Sequence, residues 1–100
     1  MTAVPDARTE GTTPVGEARE RATVTVAGRI VRTEVSPLDG PARLVAAVDD
    51  GTGVVEIVFM GRRLIPGIRP GQRLAAHGRV VSEDGVLRIH NPRYDLEGSA

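Results

Sequence analysis

Between Leu44 and Met60 the sequence LVAAVDDGTGVVEIVFM sets two apolar, β-branched runs on either side of Asp50-Gly51-Thr52-Gly53. Asp and Gly accept the positive φ that tight turns demand, and Val, Ile and Phe suit a pleated, half-buried surface, so the stretch predicts a β-hairpin. A second hairpin is predicted from Leu74 to Val81 and Val86 to His90, closed by Ser82-Glu83-Asp84-Gly85. With a long first strand from Thr23 to Val35, this makes five strands within about 70 residues. Strands so short must pair on both sides or leave edges open, which points to a small closed or nearly closed barrel.

Along each strand the alternation assigns an inward set. Val26, Ile30, Leu44, Val48, Ile57, Leu74 and Leu87 are expected in the core, with Val55 and Phe59 in phase with Ile57. The neighbours Ile30 and Val31 break strict alternation in the first strand, and Gly28 is the expected bulge or bend. After the central hairpin, Gly61-Arg62-Arg63-Leu64-Ile65 has room for one helical turn before Pro66-Gly67 stops it. Leu64, Ile65 and Ile68 are the expected plug of the barrel. Ser36-Pro37-Leu38-Asp39-Gly40-Pro41-Ala42 reads as a loop.

Three segments follow: a disordered tail over residues 1–21, with at most a nascent turn from Val15 and dispensable for folding, a domain over 22–96, and a disordered terminus over 97–100. The 100 residues contain no Cys, so no disulfide supplements the core and an intracellular setting is expected. No run approaches the roughly 18 apolar residues of a membrane span. MTAVPDARTEGTTP has neither the basic start nor the apolar stretch of a signal peptide, and the expected location is the cytoplasm.

Net charge is zero, but from Thr23 to Tyr94 ten Arg stand against seven acidic residues, a surplus of +3. All 13 basic residues are Arg, which suits bidentate phosphate contact and equally suits GC-rich coding. His77 and His90 have no third ligand and no paired carboxylate at a readable spacing, so neither a metal site nor a catalytic relay is expected. Asp49 and Asp50 read as turn caps. No cofactor and no enzymatic activity are expected.

The segments VTVAGRIVRTEV, LVAAVDDGTGVVEIVFM, IRPGQRLAAHGRVV and GVLRIHNPRY, in that order, resemble the OB-fold nucleic-acid-binding domains of the tRNA-anticodon-binding and helicase-wedge type. The marks are the Asp50-Gly51-Thr52-Gly53 turn, the Pro70-Gly71-Gln72 entry to a strand ending Gly78-Arg79-Val80, and the closing Ile89-His90-Asn91-Pro92-Arg93-Tyr94. The resemblance implies an all-β, five-stranded Greek-key barrel with at most one short helical turn between strands three and four. It also implies weak, sequence-tolerant binding of single-stranded DNA or RNA, as an accessory to a replication, repair or RNA-processing assembly. The expected contacts are Arg29, Arg32, Arg43, Arg62, Arg63, Arg79 and Arg88, with Tyr94 stacking a base or capping the barrel end. Only Phe59 and Tyr94 are aromatic, whereas single-strand binders of this fold stack bases on several rings. That scarcity keeps a second class in play, a protein-interaction module on the same barrel.

Overall fold

The computed structural model describes residues 11–36 and 41–97. Six strands carry the fold: β1 (Thr23–Ser36), β2 (Arg43–Asp49), β3 (Val54–Met60), β4 (Arg73–Glu83), β5 (Val86–His90) and β6 (Arg93–Glu97). They hydrogen-bond in the order β1-β2-β3-β5-β4-β6, and a further pairing of β1 with β4 closes the barrel. All pairings are antiparallel except β3 with β5. This is the all-β barrel expected from the sequence, with one strand more.

β1 closes the barrel by serving two neighbours. Thr23 to Arg29 pair with β4, and Arg29 to Ser36 pair with β2. The register shift in the β1–β2 pairing lies between Ile30 and Arg32, so the bulge is at Val31 and not at Gly28. Gly28 has another task. A Cβ there would stand 2.5 Å from the Asp49 carbonyl oxygen, so glycine is what lets β1 pass over the end of β2.

The core is the inward set of the strands. Val26, Ile30, Leu44, Val48, Ile57 and Leu74 are buried, together with Val55, Phe59, Ala76, Val80 and Ile89. Leu87 is only partly buried and packs against the margin of this cluster. Of the expected plug, Ile65 and Ile68 are buried, but Leu64 is 75% exposed. Residues 61–72 form turns, tied by Ile68 N–H to Ile65 O and Gln72 N–H to Arg69 O, without a helix.

Two chain segments depart from expectation. Residues 11–21, part of the segment read from sequence as free tail, lie on the barrel. A single 3-10 turn, Val15–Glu17, puts Val15 into the core at 2% exposure. Thr13 N–H donates to Thr25 O, and Arg21 N–H to Val80 O. At the other terminus Asn91-Pro92 interrupts the chain without ending it. Asn91 takes a left-handed φ of 50°, and β6 resumes alongside Arg73 to His77 of β4, as far as Glu97. Residues 1–10 of the expected tail, residues 98–100 of the expected terminus and most of the Ser36–Ala42 loop lie outside the described residues.

Candidate nucleic-acid interface

Two of the expected contacts, Arg32 of β1 and Arg88 of β5, flank the outer face of β2 and β3. Cross-strand register puts Arg32, Ala47, Glu56 and Arg88 in one row across β1, β2, β3 and β5. The Glu56 carboxylate sits between the two guanidinium groups, accepting from Arg32 Nη2 and from Arg88 Nε, each at 2.9 Å. Arg32 reaches Glu56 across Ala47, and small side chains therefore stay buried on a face that alternation alone would leave open: Val45, Ala47 and Val58. Glu56, 9% exposed, is the one charged residue buried among the described residues. Burial pushes its carboxyl up, but the hydrogen bonds and charges of Arg32 and Arg88 outweigh this and hold it below the usual carboxylate range. The chain of ion pairs extends at both ends, Arg32 to Glu34 at 3.1 Å and Arg88 to Glu83 at 3.2 Å. Three carboxylates thus surround two guanidinium groups, and this row is electrically closed.

A different character appears where β2 begins and β3 ends. Arg43 lies directly opposite Met60, and Gly61 N–H donates to Ala42 O just beyond the pair. Arg62 and Arg63 follow, both exposed. Arg43, Arg62 and Arg63 make no ion pair among the described residues. Met60 is half exposed. Its amide is held by the Asn91 side chain, whose Oδ1 accepts Met60 N–H at 2.9 Å, while Asn91 N–H donates to Val58 O at 2.7 Å. Asn91 so continues the ladder where β3 leaves it, a role not foreseen from sequence, although the Asn-Pro step marked the position.

Tyr94, on β6, pairs in register with Ala76 of β4. Its ring meets Phe59 edge-on, centroids 5.2 Å apart and planes at 71°. Yet 37% of Tyr94 remains exposed, so one ring edge supports the core and the rest faces solvent. Phe59 is buried, as its phase predicts.

The last two expected contacts lie elsewhere, on the face formed by β1, β4 and β6. Arg29 pairs in register with Arg73 and donates to Gly71 O at 2.8 Å. Arg79 pairs with Thr23 and has no ion pair among the described residues. Between them His77 is bonded to Thr25 Oγ1 through Nδ1 at 2.7 Å. His90 contacts Glu83 at 3.3 Å, so the two histidines have separate partners. Among the described residues no group of His, Cys, Asp or Glu is placed to hold a metal ion. The eight expected residues therefore divide into Arg32 and Arg88 bound to Glu56, Arg43, Arg62 and Arg63 where β2 begins and β3 ends, Tyr94 against Phe59, and Arg29 and Arg79 on the β1–β4–β6 face.

The fold has close likenesses among solved structures. RecG bound to a three-way DNA junction superposes with a TM-score of 0.69 at 20% identity, over 88% of this chain, which spans 13% of the RecG chain. The OB domain of Ta0387 from Thermoplasma acidophilum gives 0.69 at 14% identity, over 89% of each chain. The second OB-fold domain of replication protein A from Methanococcus maripaludis gives 0.65 at 13% identity, over 89% of this chain and 97% of that one. A comparison with the curated proteins finds no match. The family model of the OB-fold nucleic acid binding domain, tRNA anticodon type, matches residues 24–97, which span β1 to β6 almost completely, and the chain belongs to that family.

Proposed function

We propose that this domain binds single-stranded DNA or RNA weakly and with little sequence preference, without catalysis, as a cytoplasmic accessory to a larger replication, repair or RNA-processing assembly. The observation that carries the proposal is the barrel end at which Arg43, Arg62 and Arg63, free of ion pairs among the described residues, adjoin half-exposed Met60, while Tyr94, partly exposed, meets Phe59, the residue before Met60. Guanidinium groups neutralise phosphates, and a half-exposed ring offers a surface on which one base stacks. Family membership and the likeness to the replication protein A domain support the same reading. Titration of labelled single-stranded DNA, duplex DNA and RNA at about 50 mM salt tests it. Tighter binding of a single strand than of duplex is expected, and no binding of any at tens of micromolar protein removes the proposal.

One observation favours the second reading, a protein-interaction module. On the β2–β3 face three carboxylates, Glu34, Glu56 and Glu83, offset Arg32, Arg88 and the Arg43 that lines the same cavity, so this face has no surplus of positive charge to attract a polyanion.

A further inference from the structure

We propose that Glu56 stands in for a backbone phosphate on the outer face of β2 and β3, withholding Arg32 and Arg88 from nucleic acid and confining the ligand to the barrel end. The inference rests on the nucleic-acid reading above. A phosphodiester presents two oxygens sharing one negative charge, and so does a carboxylate. Glu56 presents its two oxygens to two different guanidinium groups, Oε2 to Arg32 and Oε1 to Arg88, both at 2.9 Å. Bonds of this length between charged partners are the strong kind, comparable to those a phosphate would make. The internal carboxylate has a further advantage, because β3 fixes it in register directly opposite Arg88 and it need not be captured from solution.

The surroundings close the site rather than leaving it half open. Glu34 occupies Nη1 of Arg32, and Glu83 occupies Nη1 of Arg88. A strand phosphate arriving here finds Nη1 and Nη2 of Arg32 and Nε and Nη1 of Arg88 already engaged, beside three carboxylates. Beneath them Val45, Ala47 and Val58 are already buried, so the ligand gains no apolar contact on entering. Glu56 thereby decides which part of the barrel a polyanion uses. It acts on binding through the two arginines and is a specificity-determining residue.

The test is a double-substitution cycle on the full chain, read by fluorescence titration of a labelled oligodeoxythymidylate of about 15 nucleotides, a length within the span of one such fold. Glu56→Gln keeps the shape and removes the charge. It is expected to tighten binding and to steepen the log–log salt slope by about 1.4, since two more phosphates are engaged at about 0.7 each; affinity then falls about seven-fold further between 50 and 200 mM salt than in the parent. Arg32→Gln with Arg88→Gln is expected to leave the parent slope unchanged and to cancel the gain made by Glu56→Gln. A flattened slope in that double variant shows that both arginines already hold phosphates and overturns the proposal, even should Glu56→Gln fail to fold. An unchanged slope or weaker binding in a folded Glu56→Gln variant overturns it as well. If the parent binds nothing and Glu56→Gln binds, the nucleic-acid function fails while the role of Glu56 stands. If neither binds, both fall.

Discussion

The backbone amide of Val15 donates to the Asp50 carboxylate over 2.8 Å, joining the 3-10 turn to the β2–β3 hairpin across 35 residues of sequence. The other carboxylate oxygen accepts from Thr52 N–H at 2.8 Å, Thr52 Oγ1 at 2.6 Å and Gly53 N–H at 3.2 Å. One side chain therefore shapes the turn and anchors the N-terminal segment. Burial pushes the Asp50 carboxyl up, but these donors together prevail and hold it below its ordinary value.

A stability difference with a defined pH dependence follows from that geometry. Asp50→Asn keeps an acceptor for the turn but turns an NH2 donor toward the Val15 amide, and an unmade bond of this kind costs about 1–3 kcal/mol. Because the folded pKa lies below the unfolded value of about 3.9, the Asp50 contribution is complete above the latter and is lost as pH falls through the folded value. Thermal melts of parent and variant should differ by at least about 4 °C at pH 7, with the gap closing below about pH 4. A gap independent of pH would show that the charge of Asp50 contributes nothing.

The N-terminal segment is expected to matter for stability, reversing the sequence-based expectation of a dispensable tail. Val15 is buried with the strand residues of the core, and Gly16 lies so close to the turn that a Cβ would stand 2.8 Å from Thr52 O. Burying a Val side chain contributes roughly 1.5–3 kcal/mol. Deleting residues 1–17 should therefore lower the melting temperature by more than about 5 °C, and Val15→Ala should reproduce much of the loss. Equal melting temperatures would mean that the barrel closes without this segment.

Asn91 gives a three-way comparison. Its φ of 50° favours Gly over Ala, and its side chain supplies the acceptor for Met60 N–H. Asn91→Gly should lose the acceptor alone, whereas Asn91→Ala should lose it and add about 1 kcal/mol of backbone strain. Asn91→Asp retains the acceptor and should stay closest to the parent. Chemical denaturation of the three variants checks the order Asp, Gly, Ala. Alanine equal to glycine would remove the strain component.

The parts of the fold legible in the sequence are those fixed by neighbours in the chain. Asp50-Gly51-Thr52-Gly53 forms its turn with its own side chains, and period-two alternation placed Leu44 and Val48 of β2 and Ile57 and Phe59 of β3 inward. What escaped depends on partners far along the chain. Residues 11–22 hold few apolar side chains, so nothing local reveals that Val15 enters the core or that Asp50 binds its amide. β6 was hidden because Asn91-Pro92 resembles a terminator, while the reason for the strand to resume is the edge of β4 from Arg73 to His77. For the interface, the Arg surplus was visible but not its availability. Whether Arg88 is free depends on the parallel register that sets it beside Glu56, and that pairing joins strands separated by all of β4.

The proposed interface makes a claim that separates charge from stacking. If Arg43, Arg62 and Arg63 engage about three phosphates, the log–log salt slope should lie near −2.1, a loss of about 20-fold in affinity between 50 and 200 mM salt. Replacing Arg62 and Arg63 by Ala should flatten that slope by about 1.4, alike for every sequence tested. Tyr94→Ala should instead weaken binding by roughly 1–3 kcal/mol at constant slope, because stacking releases no ions. Tyr94 also meets Phe59, so the alanine variant should melt lower as well, whereas Tyr94→Phe keeps the ring for both contacts and should match the parent in each. A slope indifferent to Arg62 and Arg63 would move the phosphates away from this barrel end. Arg29 and Arg79 on the β1–β4–β6 face would then be the next substitutions to test.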